Sequence, residues 1–263
     1  SMKYIVIDPV IADLGFVKVY WYGVMYLLAF LSAYLLARYR IKSEVLWNTK
    51  HVDDLIFYGA LGAVLGGRLG YLMFYNWSVF ISNPLTFFNF QNGGMSFHGG
   101  FLGVLLAMVI FNKKYQFTFF QTTDFIAPLI PLGLGFGRIG NYINGELWGR
   151  VTDSSWGILA PDQSGLWEKR FPTQLYEAFL EGFVLFCILW LFSNKKPQVM
   201  ATSSLFLIFY GIFRFIIEFV RAPDSHIGYL AFDWLTMGQL LSIPMIFIGI
   251  YLLIKSYRLE GRT

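Results

Sequence analysis

Seven apolar runs recur along the chain, at 19–37, 55–75, 95–111, 125–143, 175–192, 204–220 and 235–254. Each is close to the ~20 residues that a helix needs to cross a hydrocarbon core. No water is present at that depth to satisfy an open backbone, so such runs are predicted as helices that close their own hydrogen bonds. The chain therefore reads as an all-α integral membrane protein with seven transmembrane helices. Composition agrees, because 56% of the 263 residues are hydrophobic and only 14% charged, far from the balance of a soluble domain.

The polar loops set the orientation, since basic residues resist translocation. The 38–50 loop carries Arg38, Arg40, Lys42 and Lys50, the 112–123 loop Lys113 and Lys114, the 193–201 loop Lys195 and Lys196, and the tail Lys255, Arg258 and Arg262. These segments are assigned to the cytoplasm. The 76–94 loop has no Lys or Arg and the 221–234 loop only Arg221, which puts the N-terminus outside and the C-terminus in the cytoplasm. The net charge of +4 then belongs to the inner face and does not indicate a nucleic-acid partner.

The long 144–173 connection falls outside, and its Trp148, Trp156, Trp167, Pro161 and Pro172 predict a small outer cap with interfacial aromatics. No repeat or linker divides the chain, so residues 1–263 are expected to form a single membrane-embedded domain. The second run repeats small residues on two faces, Gly59/Ala63/Gly67 and Gly62/Gly66/Gly70, and is predicted to let neighbours approach closely. Ser1-Met2 reads as a scar of tag removal, and the 3–18 segment lacks the pattern of a cleaved signal peptide. The lone Cys187 lies inside the fifth run and is expected to act as a small hydrophobe.

Gly135-Phe136-Gly137-Arg138-Ile139-Gly140 has the G-x-G-x-x-G spacing of a dinucleotide-binding turn. That turn needs a buried strand before the glycines and a sustained helix after them. Pro128 and Pro131 interrupt the first and Gly145 and Gly149 the second, so the glycines read instead as sites of close helix approach and of a broken helix end.

Polar residues within the runs gather toward the outer side. Tyr22 opens the first run, Arg68 lies in the outer half of the second, and His98 stands near the outer start of the third. Arg138 and Asn141 close the fourth, with Asn144 and Glu146 just beyond; Gln174 and Glu177 open the fifth; Arg214, Glu218 and Arg221 close the sixth. Inserting one Arg costs at least ~2.5 kcal/mol, so arginines inside spans call for partners or an anionic ligand. Arg214 and Glu218 share one helical face and pairing is their plain structural reading, whereas Arg138 has only Glu146 within local reach. A phosphate-bearing lipid entering from the outer leaflet would satisfy two arginines bidentately.

His98 is flanked by glycines that open access to its ring, which makes it a candidate general base rather than a structural histidine. His51 and His226 lie in loops and are expected to be solvated. With the histidines dispersed and one cysteine, no metal site and no cofactor is expected.

Six blocks together carry a family resemblance: Trp21-Tyr22-Gly23, Gly66-Gly67-Arg68, Gly94-Met95-Ser96-Phe97-His98-Gly99-Gly100, the signature from Gly137 to Arg150, Pro172-Thr173-Gln174-Leu175-Tyr176-Glu177, and the stretch from Tyr210 to Glu218. Over nearly the whole chain the sequence resembles the bacterial phosphatidylglycerol–prolipoprotein diacylglyceryl transferases. The resemblance implies transfer of diacylglycerol from phosphatidylglycerol to the lipobox cysteine of a preprolipoprotein, forming a thioether and releasing glycerol-1-phosphate. It also implies residence in the bacterial cytoplasmic (inner) membrane, with membrane lipids and preprolipoprotein signal peptides as partners. The functional positions it implies are His98, Arg138, Arg214, Glu146 and Tyr22 as catalytic residues. For phosphatidylglycerol it implies Arg138, Asn141, Arg214, Arg68, Glu218 and Asn144. One departure stands out, since relatives often have His-Pro-Ser where this chain has Phe171-Pro172-Thr173, so a histidine there cannot serve as base. An anion transporter or a lipid-binding scaffold would also bury arginines. Against a transporter, the stretches 104–111, 183–192 and 243–254 are apolar toward the cytoplasm and offer no through-path.

Overall fold

The computed structural model describes residues 2–90, 93–222, 228–232 and 234–261; His226 and Arg262 lie outside the described residues. In chain order the elements are β1 (Val10–Asp13), β2 (Lys18–Tyr20), α1 (Trp21–Arg40), α2 (Thr49–Tyr75), α3 (Trp77–Ser82), α4 (Phe97–Tyr115), α5 (Phe119–Ile126) and α6 (Pro131–Ile143). There follow β3 (Ile158–Pro161), β4 (Trp167–Arg170), α7 (Thr173–Glu177), α8 (Leu185–Ser193), α9 (Ala201–Ile217) and α10 (Met237–Glu260). The chain is mostly helical. Four helices are long and apolar enough to cross a membrane: Trp21–Ser43, Thr49–Tyr75, Thr173–Ser193 and Met237–Glu260, while Ala201–Ile217 is shorter. This is the makeup of an integral membrane protein.

Three features depart from a plain array of continuous helices. First, the fold is not purely α, because β1 pairs with β2 and β3 with β4. Second, the fourth apolar run is broken: α5 ends at Ile126, a tight turn covers Ala127–Leu129, and α6 restarts at Pro131. Pro128 and Pro131 lack the N–H that a continuing helix would use. Third, the fifth run changes winding between α7 and α8, where Ala178–Val184 form a π-helix. Such widened turns recur at functional sites.

The chain divides into two compact units, one of Ser1–Asp13, Val19–Ser32 and Thr123–Thr263, the other of Leu14–Lys18 and Ala33–Thr122. In the second unit α2 packs on α4 through one of the two predicted small faces. A Cβ at Gly70 would lie 2.9 Å from Gly99 Cα, and one at Gly62 or Gly66 would run into the backbone of Gly103 or Gly99. At the start of α2, His51 belongs to a capping box: Asn48 Oδ1 accepts from His51 N at 3.0 Å and Asn48 N donates to His51 Nδ1 at 3.1 Å. Packed edge-on against Trp47, Tyr115 and Phe117, it is not the solvated loop residue expected.

In the first unit α9 packs on α10, and α6 packs on the π-wound stretch. The 144–173 connection holds the β3–β4 hairpin, in register Ile158↔Arg170 to Pro161↔Trp167. Beneath it Tyr4, Ile158 and Ala160 are buried together with Tyr142 and Trp148 against them. Tyr4 also donates its hydroxyl to Ile143 O at 2.8 Å, tying the N-terminal segment to the end of α6.

Candidate active site

Within the first unit, α6 and the π-wound stretch meet backbone to backbone. A Cβ at Gly182 would lie 2.8 Å from Gly135 Cα, so position 182 must stay without a side chain, and one at Gly135 would stand 3.3 Å from Gly182 Cα. This approach sets the next turn of α6, with Arg138, against Glu177 at the end of α7. Arg138 Nε stands 2.5 Å from Glu177 Oε2. The other oxygen of the same carboxylate, Oε1, lies 3.7 Å from Arg214 Nη1 of α9. Glu177 is only 3% exposed and thus serves two arginines from two helices at once.

The ionic chain continues past Arg214. Its Nη2 lies 3.1 Å from Glu218 Oε1, and Arg221 Nη1 donates to that same oxygen at 3.3 Å. Glu218 Oε2 accepts from the Thr236 hydroxyl at 2.9 Å. Thr236 is also the N-cap of α10, accepting from Gln239 N at 3.2 Å, so the positive end of that helix faces the Glu218 carboxylate. The Arg214–Glu218 pairing matches the plain structural reading of their spacing. Arg138 instead finds its acid in Glu177 from another helix, and Glu146 is held elsewhere.

Asn141 and Glu146 extend the network on the far side of Arg138. Arg138 Nη1 donates to Asn141 Oδ1 at 3.4 Å, and Asn141 Nδ2 donates to Glu146 Oε2 at 3.2 Å. Glu146 can turn back over the end of α6 because Gly145 has φ +70° and Leu147 φ +59°. Glycine takes this conformation freely, but Leu147 does so at a cost of ~1–2 kcal/mol. Three hydrogen bonds hold the turn: Glu146 N to Asn141 O at 2.9 Å, Gln174 Nε2 to Glu146 O at 2.7 Å, and Thr173 Oγ1 to Leu147 O at 3.1 Å. The start of α7 thereby fixes both the Glu146 turn and, one turn on, Glu177.

Tyr22 lies beside this cluster, since a Cβ at Gly140 would be 3.3 Å from its Cδ2, and its ring meets Tyr26 edge-on at 5.1 Å. Asn144 closes α6, and its half-buried side chain leaves Oδ1 without a hydrogen-bond partner among the described residues. Arg68 and His98 belong to the other unit. Arg68, 3% exposed, donates to the carbonyls of Thr86, Phe87, Gly93 and Gly94 at 2.7–3.0 Å, so its guanidinium holds the chain that leads into α4. His98 is exposed as the second residue of α4, after the Ser96 N-cap, with its ring edge-on to Phe97. Among the described residues no group of three or more His, Cys, Asp or Glu is arranged to hold a metal.

Two arginines at one buried carboxylate make a site that an anion can enter by exchange. Arg214 Nη1 is buried without a hydrogen-bond partner among the described residues, because 3.7 Å to Glu177 is an ion-pair distance and not a hydrogen bond. An oxyanion placed between Arg138 and Arg214 would gain that unused donor. In the sequence Glu177, which anchors the pair, shows only as a polar residue opening the fifth run, and Glu181 lies deeper in the same run. The signal for both was two acids one turn apart in an apolar run with no local cation.

Residues 9–255 match the family model described as prolipoprotein diacylglyceryl transferase. Proteins named phosphatidylglycerol–prolipoprotein diacylglyceryl transferase are similar to this chain over almost all of it. That of Marinomonas sp. (strain MWYL1) is 52% identical over 97% of this chain and 94% of its own length. That of Xanthomonas oryzae pv. oryzae (strain PXO99A) is 51% identical over 96% and 92%, and that of Pseudomonas aeruginosa (strain LESB58) 51% over 99% and 97%.

Proposed function

The chain belongs to the prolipoprotein diacylglyceryl transferase family, and from that premise we propose that it moves the diacylglyceryl group of phosphatidylglycerol onto the lipobox cysteine thiol of preprolipoproteins. A thioether forms, and glycerol-1-phosphate leaves. In this reading the protein sits in the bacterial cytoplasmic membrane, spans it seven times with the N-terminus outside and the C-terminus in the cytoplasm, and turns its site and the 144–173 cap to the outer leaflet. Residues 1–263 act as one membrane-embedded catalytic domain.

The observation that carries the proposal is the shared Glu177, with Arg138 at 2.5 Å and the under-bonded Arg214 Nη1 at 3.7 Å. The thiolate sulfur attacks the glycerol carbon of the lipid, the carbon–oxygen bond to phosphorus breaks, and the electron pair stays on the phosphate oxygen. Charge therefore grows on the phosphate during the step. Arg138 and Arg214, fixed in advance and partly shielded from water, stabilise that charge. Asn141 orients Arg138 through its Oδ1 and is itself oriented by Glu146, while Glu218 holds Arg214 on the opposite side. Tyr22 and Asn144 line the same end of α6 and contact the lipid headgroup.

A thiol of pKa ~8.5 is only slightly ionised near neutral pH. His98, carried by its glycine-flanked motif, takes the thiol proton as general base. Arg68 contributes by fixing the Gly93-Gly94 segment that leads to His98. The test is to incubate purified protein with phosphatidylglycerol and a lipobox peptide. A diacylglyceryl gain in peptide mass with stoichiometric release of glycerol phosphate supports the reading; unchanged peptide with demonstrably bound lipid would move it to a scaffold or transporter.

A further inference from the structure

Glu181 is left over by the ionic chain. It stands one turn beyond Glu177 in the π-wound stretch, is 2% exposed, and its Oε1 is buried without a hydrogen-bond partner among the described residues. The titratable and charged groups that act on it are Glu177 from its own helix, Arg138 from α6, Tyr210 and Arg214 from α9, and Glu218 at the C-cap of α9. Arg138 is ion-paired with Glu177, and Arg214 with Glu177 and Glu218, while Arg214 Nη1 makes no hydrogen bond to Glu181 Oε1.

A carboxylate so deeply buried with an oxygen that no donor reaches is strongly disfavoured. Charge balance points the same way. Arg138, Arg214 and Arg221 are equalled in number by Glu177, Glu218 and Glu146, the last bonded to Asn141, so an ionised Glu181 would make the cluster net negative before an anionic phosphate arrives. Glu177 poses the complementary problem. When a phosphate takes over Arg138 and Arg214, its carboxylate loses both cations in a buried place.

We propose that Glu181 is held as a neutral carboxylic acid whose O–H donates a hydrogen bond to the Glu177 carboxylate when substrate phosphate displaces Glu177 from the two arginines. The inference rests on the transferase reading above. Glu181 touches no substrate in this role and acts through Glu177, so it is a positioning residue. No proton changes hands: the O–H···O bond forms as phosphate enters and is released when Glu177 returns to the arginines. Without it, phosphate entry would leave a bare buried carboxylate, and the resting ion pairs would be favoured over substrate.

The experiment compares wild type, Glu181→Gln and Glu181→Leu as full-length detergent-solubilised protein, with phosphatidylglycerol and a lipobox peptide. Glutamine keeps a neutral donor and leucine does not. Expected is kcat/KM for Glu181→Gln close to wild type and a loss of about 10- to 100-fold for Glu181→Leu, mainly in KM for the lipid, the size of one hydrogen bond to a charged group. Thermal stability of the leucine variant should match or exceed wild type, because it removes a buried orphan oxygen. Equal impairment of both variants, or normal lipid KM in Glu181→Leu, would overturn the proposal. Infrared spectroscopy gives a readout that needs no turnover or leucine variant: the neutral-carboxyl C=O band should be present in wild type and absent from Glu181→Gln. Its absence from wild type would also overturn the proposal. A wild-type protein with no turnover would sink the transferase reading while leaving the infrared result to judge Glu181.

Discussion

Arg138 of α6 and Glu177 of α7 meet at 2.5 Å, and the same carboxylate lies 3.7 Å from Arg214 of α9. One buried acid thus organises two cations from separate helices. Removing either cation leaves Glu177 half-compensated, and removing Glu177 leaves two arginines to repel each other.

Arg138→Lys keeps the charge but loses the Nε–H donor and the planar fork that reaches Glu177 and Asn141 together. Turnover is expected to fall about 10²–10³-fold, the scale of one lost electrostatic donor, with Arg138→Ala at least as low. Thermal stability of the solubilised protein, measured alongside, should show that both variants remain folded. Near-normal turnover in either would remove Arg138 from the site.

His98→Gln should retain fold and lipid binding while turnover drops about 10²–10⁴-fold, as expected for loss of a general base. Its exposed place at the start of α4 makes a large stability effect unexpected. Binding of a fluorescent phosphatidylglycerol and single-turnover rates separate the two roles; weakened binding with normal chemistry would make His98 a lipid contact.

Gly182→Ala introduces a Cβ 2.8 Å from Gly135 Cα, where only backbone can yield. Overpacking of this kind costs about 1–3 kcal/mol, so the melting temperature should fall. Because the same contact aligns Arg138 with Glu177, turnover should fall too, even measured well below the melting point. A control at Gly137, where an added Cβ meets nothing within 4 Å, should change stability little.

Asp162 closes the β3–β4 turn, and its carboxyl is held below the usual carboxylate range by the Ser164 hydroxyl first and by the Leu166 N–H next. A depressed folded value stabilises the hairpin above the unfolded value of ~3.9, and the benefit is lost as pH falls through the folded value. Amide exchange at Leu166 should therefore accelerate on acidification below that range in wild type. In Asp162→Asn it should be faster already near neutral pH and change less with acid. Identical profiles would show that the carboxylate does not hold the turn.

Much of the helical framework was legible because burial in a bilayer writes a long one-dimensional signal. Each of the seven apolar runs contains helix in the structure, four of them helices long and apolar enough to cross a membrane, and the Gly62/Gly66/Gly70 face packs on α4 as its spacing predicts. Arg214 and Glu218 paired as predicted too, since i,i+4 neighbours are set by helix geometry alone. Local chemistry also explains the break at Pro128 and Pro131, although hydropathy alone read that run as one span. The β3–β4 hairpin was harder to see, because its strands are short and its buried partner Tyr4 comes from the far end of the chain.

What the sequence by itself determined is which residues lie in apolar helices, where those helices can touch closely, and that arginines at their ends need acids or an anion. Only the tertiary structure decided which acid serves which arginine. That choice depends on the rotation and separation of α6, α7 and α9; between α6 and the helix that α7 opens, the Gly135–Gly182 contact and the change of winding at Ala178–Val184 set it. Ion pairs between helices act over a few ångströms, so a partner distant in sequence becomes visible only once packing has brought it near.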